Sequence, residues 1–423
     1  MATTIERSAQ QVVPESTRDR LKVVGPGLIA AATGVGGGDI VASIVAGTNY
    51  GMALVWAAIV GAFLKYYLAE GVGRWHLATD TTIIDGWNSL GKWATGYFAV
   101  YIMVWGFVFG AAAASSTALA LNALVPAIPF KVWAIGSSIV GLLLVGLGRY
   151  EVFEKIMAAL IAIMFVTVVG TAVAVGPNLG DFAKGLAPTM PEGSLLNALA
   201  LMGGVGGTIT LAAYGYWLRE KRWRGPRWLP VMRTDNWVAY ASTAIFALAL
   251  IVVGAELLFS GGLTIEGESG LVTVGDVLNE RFGGFVELMF LIGFWAAAFT
   301  SLLGVWNGVS YLFADFVRTM RGIPDSEADE HLDERSPAFR FYLAWLTFPP
   351  IVLLFAGQPF GLVLIYAALG AFFMPFLAIT LLWLLNSDRV RSEFRNRIVP
   401  NVIMVACVVL FGFLAIREII EAL

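Results

Sequence analysis

Long apolar runs separated by short polar breaks follow one another along almost the whole chain. A helix that crosses the hydrocarbon core of a bilayer needs about 20 predominantly apolar residues. Stretches of about this length lie near residues 24–48, 51–75, 94–123, 131–148, 152–176, 194–218, 235–259, 283–315, 339–356, 359–385 and 399–421. The pattern therefore predicts an all-α integral membrane protein with eleven transmembrane helices.

The composition fits a membrane protein and excludes most soluble classes. Of the 423 residues, 58% are apolar and 13% are charged, whereas soluble globular domains carry about 25% charged residues. The net charge of −3 gives no basis for a nucleic-acid partner. The single cysteine, Cys407, and the two histidines exclude an internal disulfide and a Cys/His metal cluster. We therefore expect neither an enzyme nor a bound cofactor.

Basic residues collect in alternate loops, and this asymmetry predicts the orientation of the chain in the membrane. The loops after spans six, eight and ten carry Arg219, Lys221, Arg222, Arg224, Arg227, Arg233, Arg318, Arg321, Arg335, Arg340, Arg389, Arg391, Arg395 and Arg397. We expect these loops to be cytoplasmic. The polar segment 1–23 then forms a cytoplasmic N-terminal tail, and residues 24–423 form one transmembrane domain in the plasma (inner) membrane with its C-terminus outside.

Two of the predicted spans contain a run of glycines. Residues 36–39 read Gly-Gly-Gly-Asp, and residues 203–208 read Gly-Gly-Val-Gly-Gly-Thr. Each glycine costs a helix interior about 1 kcal/mol relative to alanine, so both runs predict an unwound turn. Paired interruptions in corresponding positions of two halves are typical of the binding site of a secondary transporter. The alternative is that the small residues only let helices pack closely.

The two halves then correspond to an inverted repeat. Spans one to five, about residues 24–176, form repeat one, and spans six to ten, about residues 194–385, form repeat two. The eleventh span, about residues 399–421, is an addition. This arrangement would bring the two glycine runs together at the middle of the membrane.

Asp39 is the only carboxylate in either glycine run. An ionisable side chain at this depth marks a functional site by default. Asp39 either binds a cation, acts as a proton site, or accepts hydrogen bonds from the unwound backbone or a helix N-terminus. Lys65, in the second span, is expected to pair with Glu70 or to extend its amine to the membrane surface. The candidate substrate site comprises Gly36, Gly37, Gly38, Asp39, Gly206, Gly207, Thr208 and Thr210, with Asp39 as the ligand if the substrate is a metal ion.

Several segments resemble the Nramp family of proton-coupled divalent-metal transporters, which have the LeuT-type fold. Residues 25–51, from Gly-Pro-Gly to Asn-Tyr-Gly, are similar to the first span of that family. Residues 118–122 (Ala-Leu-Ala-Leu-Asn), 195–199 (Leu-Leu-Asn-Ala-Leu) and 374–377 (Met-Pro-Phe-Leu) also fit its pattern. The resemblance implies a LeuT-type fold with interrupted spans one and six, and a divalent cation as the transported species.

The residues that bind metal in the family are changed in this chain. The Asp-Pro-Gly-Asn motif of the family's first span aligns with residues 36–39, so Gly36 replaces the aspartate and Asp39 replaces the asparagine. The Met-Pro-His motif of its sixth span aligns Gly207 with the methionine and Ile209 with the histidine. A shift of two residues gives Val205 and Gly207 instead. Neither register restores a thioether or an imidazole.

The proton path of the family is also changed. Its acidic pair in span three corresponds to Gly110 and Ala113, and a glutamine common in its span ten corresponds to Phe373, which joins the candidate substrate site.

Carboxylate and carbonyl oxygens suit Mg²⁺, Ca²⁺ or Mn²⁺ better than softer metals. We therefore expect a secondary transporter of a hard divalent cation, Mg²⁺ or Mn²⁺, with weak or absent proton coupling. Residues 86–92 match Gly-x-x-x-x-Gly-Lys, but Trp93 follows where a phosphate-binding loop has Ser or Thr, so ATP-driven transport is not indicated.

Two other functions remain open. Trp105 and Phe109 in span three, with Phe372 and Phe373 in span ten, would suit an organic cation or zwitterion, with Asp39 as the counter-charge. A membrane sensor that kept the fold and lost transport would show the same altered ligands, but the longest loop, about residues 318–340, is too short for a signalling domain. The expected partners are thus the transported ion or small solute and the lipid bilayer; the oligomeric state is open.

Overall fold

The computed structural model of the protein describes residues 13–147, 150–259, 269–356 and 359–422. Its regular structure is helical. The helices of the first half are α1 Thr17–Lys22, α2 Pro26–Gly34, α3 Gly37–Tyr50, α4 Val55–Thr79, α5 Ile83–Ser89, α6 Lys92–Leu124, α7 Phe130–Leu147, α8 Tyr150–Val175 and α9 Leu179–Gly185. Those of the second half are α10 Leu195–Gly204, α11 Thr210–Glu220, α12 Leu229–Gly254, α13 Ser269–Phe282, α14 Gly284–Met320, α15 Ala328–His331, α16 Pro337–Thr347, α17 Leu353–Ala356, α18 Pro359–Leu385 and α19 Ile398–Ala422.

Helices lie in each of the eleven apolar regions, so the all-α membrane architecture is confirmed. In the described part of the chain, eight helical segments are long and apolar enough to cross a membrane. The interrupted spans are divided into pieces such as α2, with 9 residues, and α10, with 10 residues, which are individually too short to cross. The number of eleven crossings stays a prediction.

The two glycine runs interrupt their spans as predicted. The first interruption consists of Val35 and Gly36, between α2 and α3, and the second consists of residues 205–209, between α10 and α11. In the second, Gly206 and Gly207 have φ angles of 92° and 87°. This left-handed conformation costs most other residues about 1–2 kcal/mol. Glycine therefore supplies the backbone freedom that the second interruption requires.

Two long helices hold the interrupted spans in the middle of the bundle. The helix α12 packs against α2, α3 and α4, and α14 packs against α2, α6, α8 and α11. At the periphery, Val402, Val409 and Ile416 of α19 are 60–68% exposed. An exposed apolar stripe of this kind suits contact with lipid tails. The polar backbone of the interruptions is thereby buried at the centre, where protein groups can satisfy it.

Candidate binding site at the two interruptions

The two interruptions touch each other through their backbones. A Cβ atom on Gly34 would lie 2.5 Å from the amide nitrogen of Gly207, and one on Gly207 would lie 2.9 Å from the Cα of Gly34. Any larger residue at either position would overlap the opposite backbone. The glycines therefore fit both hypotheses drawn from the sequence, the unwound turn and the close packing of helices. They unwind the second span and also allow it to pack closely on the first.

Asp39 lies in the first turn of α3 and is buried, with 7% of its surface exposed. Its Oδ2 accepts a hydrogen bond of 3.0 Å from the backbone N–H of Gly36. Its Oδ1 faces the second span, since a Cβ atom on Gly204 would lie 2.8 Å from that oxygen. A carboxylate at a helix N-terminus is stabilised by the helix dipole. One oxygen of Asp39 thus caps its own helix, and the other is directed at the opposite interruption.

Lys65 of α4 places its ammonium group at the second interruption, a position that the sequence pattern did not predict. The side chain is fully buried, and its Nζ donates hydrogen bonds to the carbonyl oxygens of Gly203, at 2.9 Å, and Gly207. The Phe411 ring covers the ammonium, with its centroid 5.7 Å from Nζ, an arrangement that favours a cation. The Asp39 carboxylate faces Gly204, next in sequence to the first of these carbonyls.

The predicted pairing of Lys65 with Glu70, or its extension to the surface, is wrong. Glu70 pairs instead with Arg74, at 2.9 Å, and Arg233, at 3.0 Å. The last carbonyls of a helix have no partner within it and carry negative partial charge. The helix α10 ends at Gly204, so its free carbonyls attract the nearest buried cation. Sequence spacing along α4 did not reveal this because the partner belongs to another helix.

The hydroxyl groups of Thr208 and Thr210 are buried and have no hydrogen-bond partner among the described residues. Thr208 lies against α18, since a Cβ atom on Gly370 would be 2.7 Å from its Cγ2. The Tyr240 hydroxyl, on α12 beside Gly206, is likewise buried without a partner in the described part of the chain. A buried hydroxyl left unpaired costs about 1–3 kcal/mol. Among the described residues, these three hydroxyls are thus unpaired polar groups in or next to the second interruption.

The remaining predicted site residues lie around this cluster. Gly36 faces α14, where a Cβ atom on it would lie 2.8 Å from the Ser301 hydroxyl, and Gly37 faces Ser116 of α6. The first interruption thus contacts a helix of each repeat. Gly38 belongs to the first turn of α3.

Phe373 belongs to an aromatic cluster between α6 and α18. Its ring stacks on Tyr101 at 5.2 Å and meets Trp87 edge-on at 6.2 Å. Trp105 and Phe109, also on α6, stack on each other at 4.6 Å. The rings proposed to surround an organic solute therefore have other rings as neighbours.

The altered metal-ligand positions noted in the sequence all lie within the residues that the structure describes. Within the described residues, no group of three or more His, Cys, Asp and Glu side chains is placed to hold a metal ion. A Cβ atom on Gly110, at the position of one family acid, would lie 2.5 Å from the Cγ of Pro350. The α6 surface therefore has no room for a carboxylate there. Asp39 and Lys65 remain as the charged pair of the site.

The segment leading into α2 is fastened by a buried carboxylate that the sequence analysis did not single out. Asp235 of α12 accepts hydrogen bonds from the N–H groups of Gly25, at 2.8 Å, and Gly27, at 2.7 Å. The Tyr214 hydroxyl of α11 donates to the same carboxylate at 2.8 Å. Deeper in α2, the Ser301 hydroxyl donates to the Thr33 carbonyl at 2.8 Å. These bonds connect α2 and α11, one half of each interrupted span, to α12, and they connect α2 to α14.

A cavity of about 930 Å³ opens at the far end of α11. It is lined by Tyr216, Arg219, Glu220, Tyr311, Glu334 and Arg335, among others. Burial and the nearby Glu220 carboxylate raise the pKa of Glu334 to about 7. Glu334 accepts hydrogen bonds from Asn307, at 3.2 Å, and Tyr311, at 3.4 Å. This cavity is lined by charged groups of both signs.

Comparison with known proteins shows the family to which the chain belongs. The chain is 26% identical over 275 residues to an uncharacterized protein of Pasteurella multocida, a match that spans 61% of this chain and 61% of that protein. It is 23% identical over 316 residues to the divalent metal cation transporter MntH of Mycobacterium tuberculosis, covering 70% of this chain and 71% of the relative.

Solved structures show the same architecture. A mutant form of the Eremococcus coleocola manganese transporter superposes with a TM-score of 0.76 at 16% identity, covering 95% of this chain and 87% of that one. MhsT in complex with L-phenylalanine superposes with a TM-score of 0.59 at 17% identity, covering 94% and 98%. The fold is therefore that of the Nramp and LeuT-type transporters. Because the family model described as natural resistance-associated macrophage protein-like matches residues 27–421, the chain belongs to the Nramp family of membrane transporters.

Proposed function

We propose that this protein is a secondary transporter that moves a hard divalent cation, Mg²⁺ or Mn²⁺, by alternating access. The observation that carries the proposal is the position of Asp39, whose buried carboxylate faces Gly204 at the end of α10. The interruption that follows Gly204 leads to the hydroxyls of Thr208 and Thr210, which are unpaired among the described residues. The relatives point to the same class of cargo, since one is named a divalent metal cation transporter and another a manganese transporter.

The donor set favours a cation that keeps part of its water. Carboxylate, carbonyl and hydroxyl oxygens suit Mg²⁺ and Mn²⁺, and Mg²⁺ in particular usually retains several waters when bound. In this proposal an ionised Asp39 and a protonated Lys65 offset each other, so the site has no excess charge with which to strip a divalent ion of its water. In this proposal the ion lies between the segments 36–39 and 206–210, with Phe373 at the α18 side.

We further propose weak or absent proton coupling along α6. Gly110 and Ala113 stand where the resembling family has acids, and Pro350 occupies the space beside Gly110. Transport would then follow the cation gradient and the membrane potential. The basic loops support a cytoplasmic N-terminus, an external C-terminus and an inner-membrane location, and the domain boundaries follow the repeats at about 24–176 and 194–385 with the span 399–421 added.

The test is cation flux into liposomes that contain the purified full chain and a metal-sensitive dye. We expect uptake of Mg²⁺ or Mn²⁺ by the wild type, loss of uptake in Asp39→Asn, and unchanged uptake in Asp181→Asn, a control carboxylate that is 54% exposed. No divalent flux together with no metal-dependent thermal stabilisation would refute the proposal. Intact flux in Asp39→Asn would make Asp39 a purely structural cap.

A second candidate, a zwitterionic solute, is favoured by one specific observation. Asp39 and Lys65 place opposite charges at the same pair of interruptions, which matches a molecule with one ammonium and one carboxylate group. The discriminating measurement is a thermal-stability screen of the wild type with metal salts and with amino acids. Stabilisation by an amino acid and by no divalent cation would replace the metal proposal with this one.

A further inference from the structure

The end of α10 is built as a binding position for a cation. Interrupted helices in transporters commonly coordinate Na⁺ or H⁺ through unwound carbonyls and the C-terminal ends of half-helices. In this protein, the Gly203 carbonyl lies in the last turn of α10 and the Gly207 carbonyl lies in the second interruption. Both accept hydrogen bonds from the Lys65 ammonium. A side chain of the protein thus stands where a free ion would be expected.

The surroundings of Lys65 complete a site for one positive charge. The ammonium carries three donors, two of which are used by the Gly203 and Gly207 carbonyls. The Phe411 ring lies 5.7 Å away on one side, and the Asp39 carboxylate faces Gly204, next in sequence to the first of these carbonyls. A buried ammonium needs such partners. Two carbonyl oxygens and an aromatic face are therefore already arranged around Nζ.

We propose that Lys65 acts as a tethered cation that fills the monovalent-ion position at the end of α10. A free coupling ion such as Na⁺ is thereby excluded, and transport by the wild type proceeds without one. The part of this inference that concerns coupling rests on the proposed transport function, whereas the part that concerns the site itself does not. Removing the ammonium should open the position to Na⁺ or to a small primary ammonium ion.

The experiment compares ion-dependent stability in purified full-length variants. Thermal unfolding of wild type, Lys65→Ala and the control Lys184→Ala, whose side chain is 81% exposed, is followed in NaCl, methylammonium chloride and choline chloride at equal ionic strength. At about 100 mM, Na⁺ or methylammonium should raise the unfolding midpoint of Lys65→Ala by about 1–3 °C over choline. Wild type and Lys184→Ala should unfold at the same temperature in all three salts.

A folded Lys65→Ala variant that responds to the three salts as the wild type does would overturn the proposal. If Lys65→Ala cannot be purified, the yield of folded Lys65→Met in each salt replaces the melting curve. Recovery in Na⁺ or methylammonium but not in choline supports the tethered cation, and equal yields in all three overturn it. Adding Asp39→Asn to the responding variant should abolish the ion effect, because the compensating charge is then lost.

Flux measurements separate this inference from the transport proposal. Wild-type uptake of Mg²⁺ or Mn²⁺ should be equal with Na⁺ or choline as the external monovalent cation, and a strict Na⁺ requirement would contradict the tethered cation. A wild type that moves no divalent ion refutes only the proposed cargo. The Na⁺-dependent stabilisation of Lys65→Ala would still be observed in that case, so the two failures have different signatures.

Discussion

At both interruptions a helix end leaves backbone groups without partners in that helix, and side chains of opposite charge bind them. At the first, a helix begins, and the Asp39 carboxylate caps it by accepting from the Gly36 N–H three residues earlier. At the second, a helix ends, and the carbonyls of Gly203 and Gly207 receive the ammonium of Lys65, which lies 138 residues from Gly203 in the sequence. The helix dipole favours an anion at the first position and a cation at the second.

This difference has a mechanical consequence. The Asp39 cap depends only on α3 and its preceding turn, so it moves with that helix. The Lys65 bonds join α4 to the second interrupted span, so any movement of α10 relative to α4 must break them or carry α4 along. The hydrogen bond that caps the first interruption is therefore local to its own helix, whereas the bonds at the second link it to a neighbouring helix.

The largest expected effect comes from removing the distant charge. Lys65→Met should lower the free energy of unfolding by about 3–5 kcal/mol, because it leaves two buried carbonyls unpaired and Asp39 without its counter-charge. Asp39→Asn should cost less, about 1–2 kcal/mol, because an amide oxygen still accepts from the Gly36 N–H and the Lys65 ammonium keeps its two carbonyl partners although it loses the nearby carboxylate. Both are measured by denaturation in detergent with choline as the only monovalent cation. Equal losses would show that the two charges contribute alike.

The next effect concerns the backbone of the second interruption. Gly207→Ala should lower the free energy of unfolding by about 3 kcal/mol, because alanine is strained at φ 87° and its Cβ would overlap the Thr210 hydroxyl and lie 2.9 Å from the Gly34 Cα. The matched control is Gly203→Ala, where the nearest atoms to a new Cβ lie 3.7 Å away on Leu414 and Phe411. Its stability should change by less than about 1 kcal/mol. Similar losses in the two variants would contradict the close approach of the interruptions.

A double-mutant cycle measures how far the two charges act as a pair. Lys65→Met and Asp39→Asn combined should destabilise the protein by about 1–2 kcal/mol less than the sum of the single losses, because the second change removes the charge that the first left uncompensated. The readout is the same denaturation in choline. Strict additivity would mean that each interruption is satisfied independently.

The comparison also explains which features were predictable from the sequence. The apolar periods, the glycine runs and Asp39 are local signals, and the structure places helices and unwound turns where they indicate. The Lys65 contact depends on which helix lies beside α10, and the Asp235 contacts with Gly25 and Gly27 depend on how α12 meets α2. Neither partner is determined by spacing along one helix. Tertiary packing therefore decided the electrostatics of the site, and the sequence pattern alone did not.

The smallest expected effect tests whether the space between the interruptions takes a ligand. Thr208→Val and Thr210→Val should each weaken Mg²⁺ or Mn²⁺ binding about fivefold, the equivalent of one lost hydrogen-bond-scale contact of about 1 kcal/mol. Stability without ligand should stay equal or rise, because each variant removes a buried hydroxyl that has no partner among the described residues.

The control for these two variants is Thr243→Val. The Thr243 hydroxyl is buried but donates to the Ala239 carbonyl of its own helix at 3.2 Å, so its loss should reduce stability slightly and leave metal affinity unchanged. Binding is measured as metal-dependent thermal stabilisation of each purified variant. If all three substitutions act alike on both quantities, the two hydroxyls are packing groups. Opposite signs for affinity and stability at Thr208 and Thr210, and only there, would identify them as groups held unpaired for a substrate.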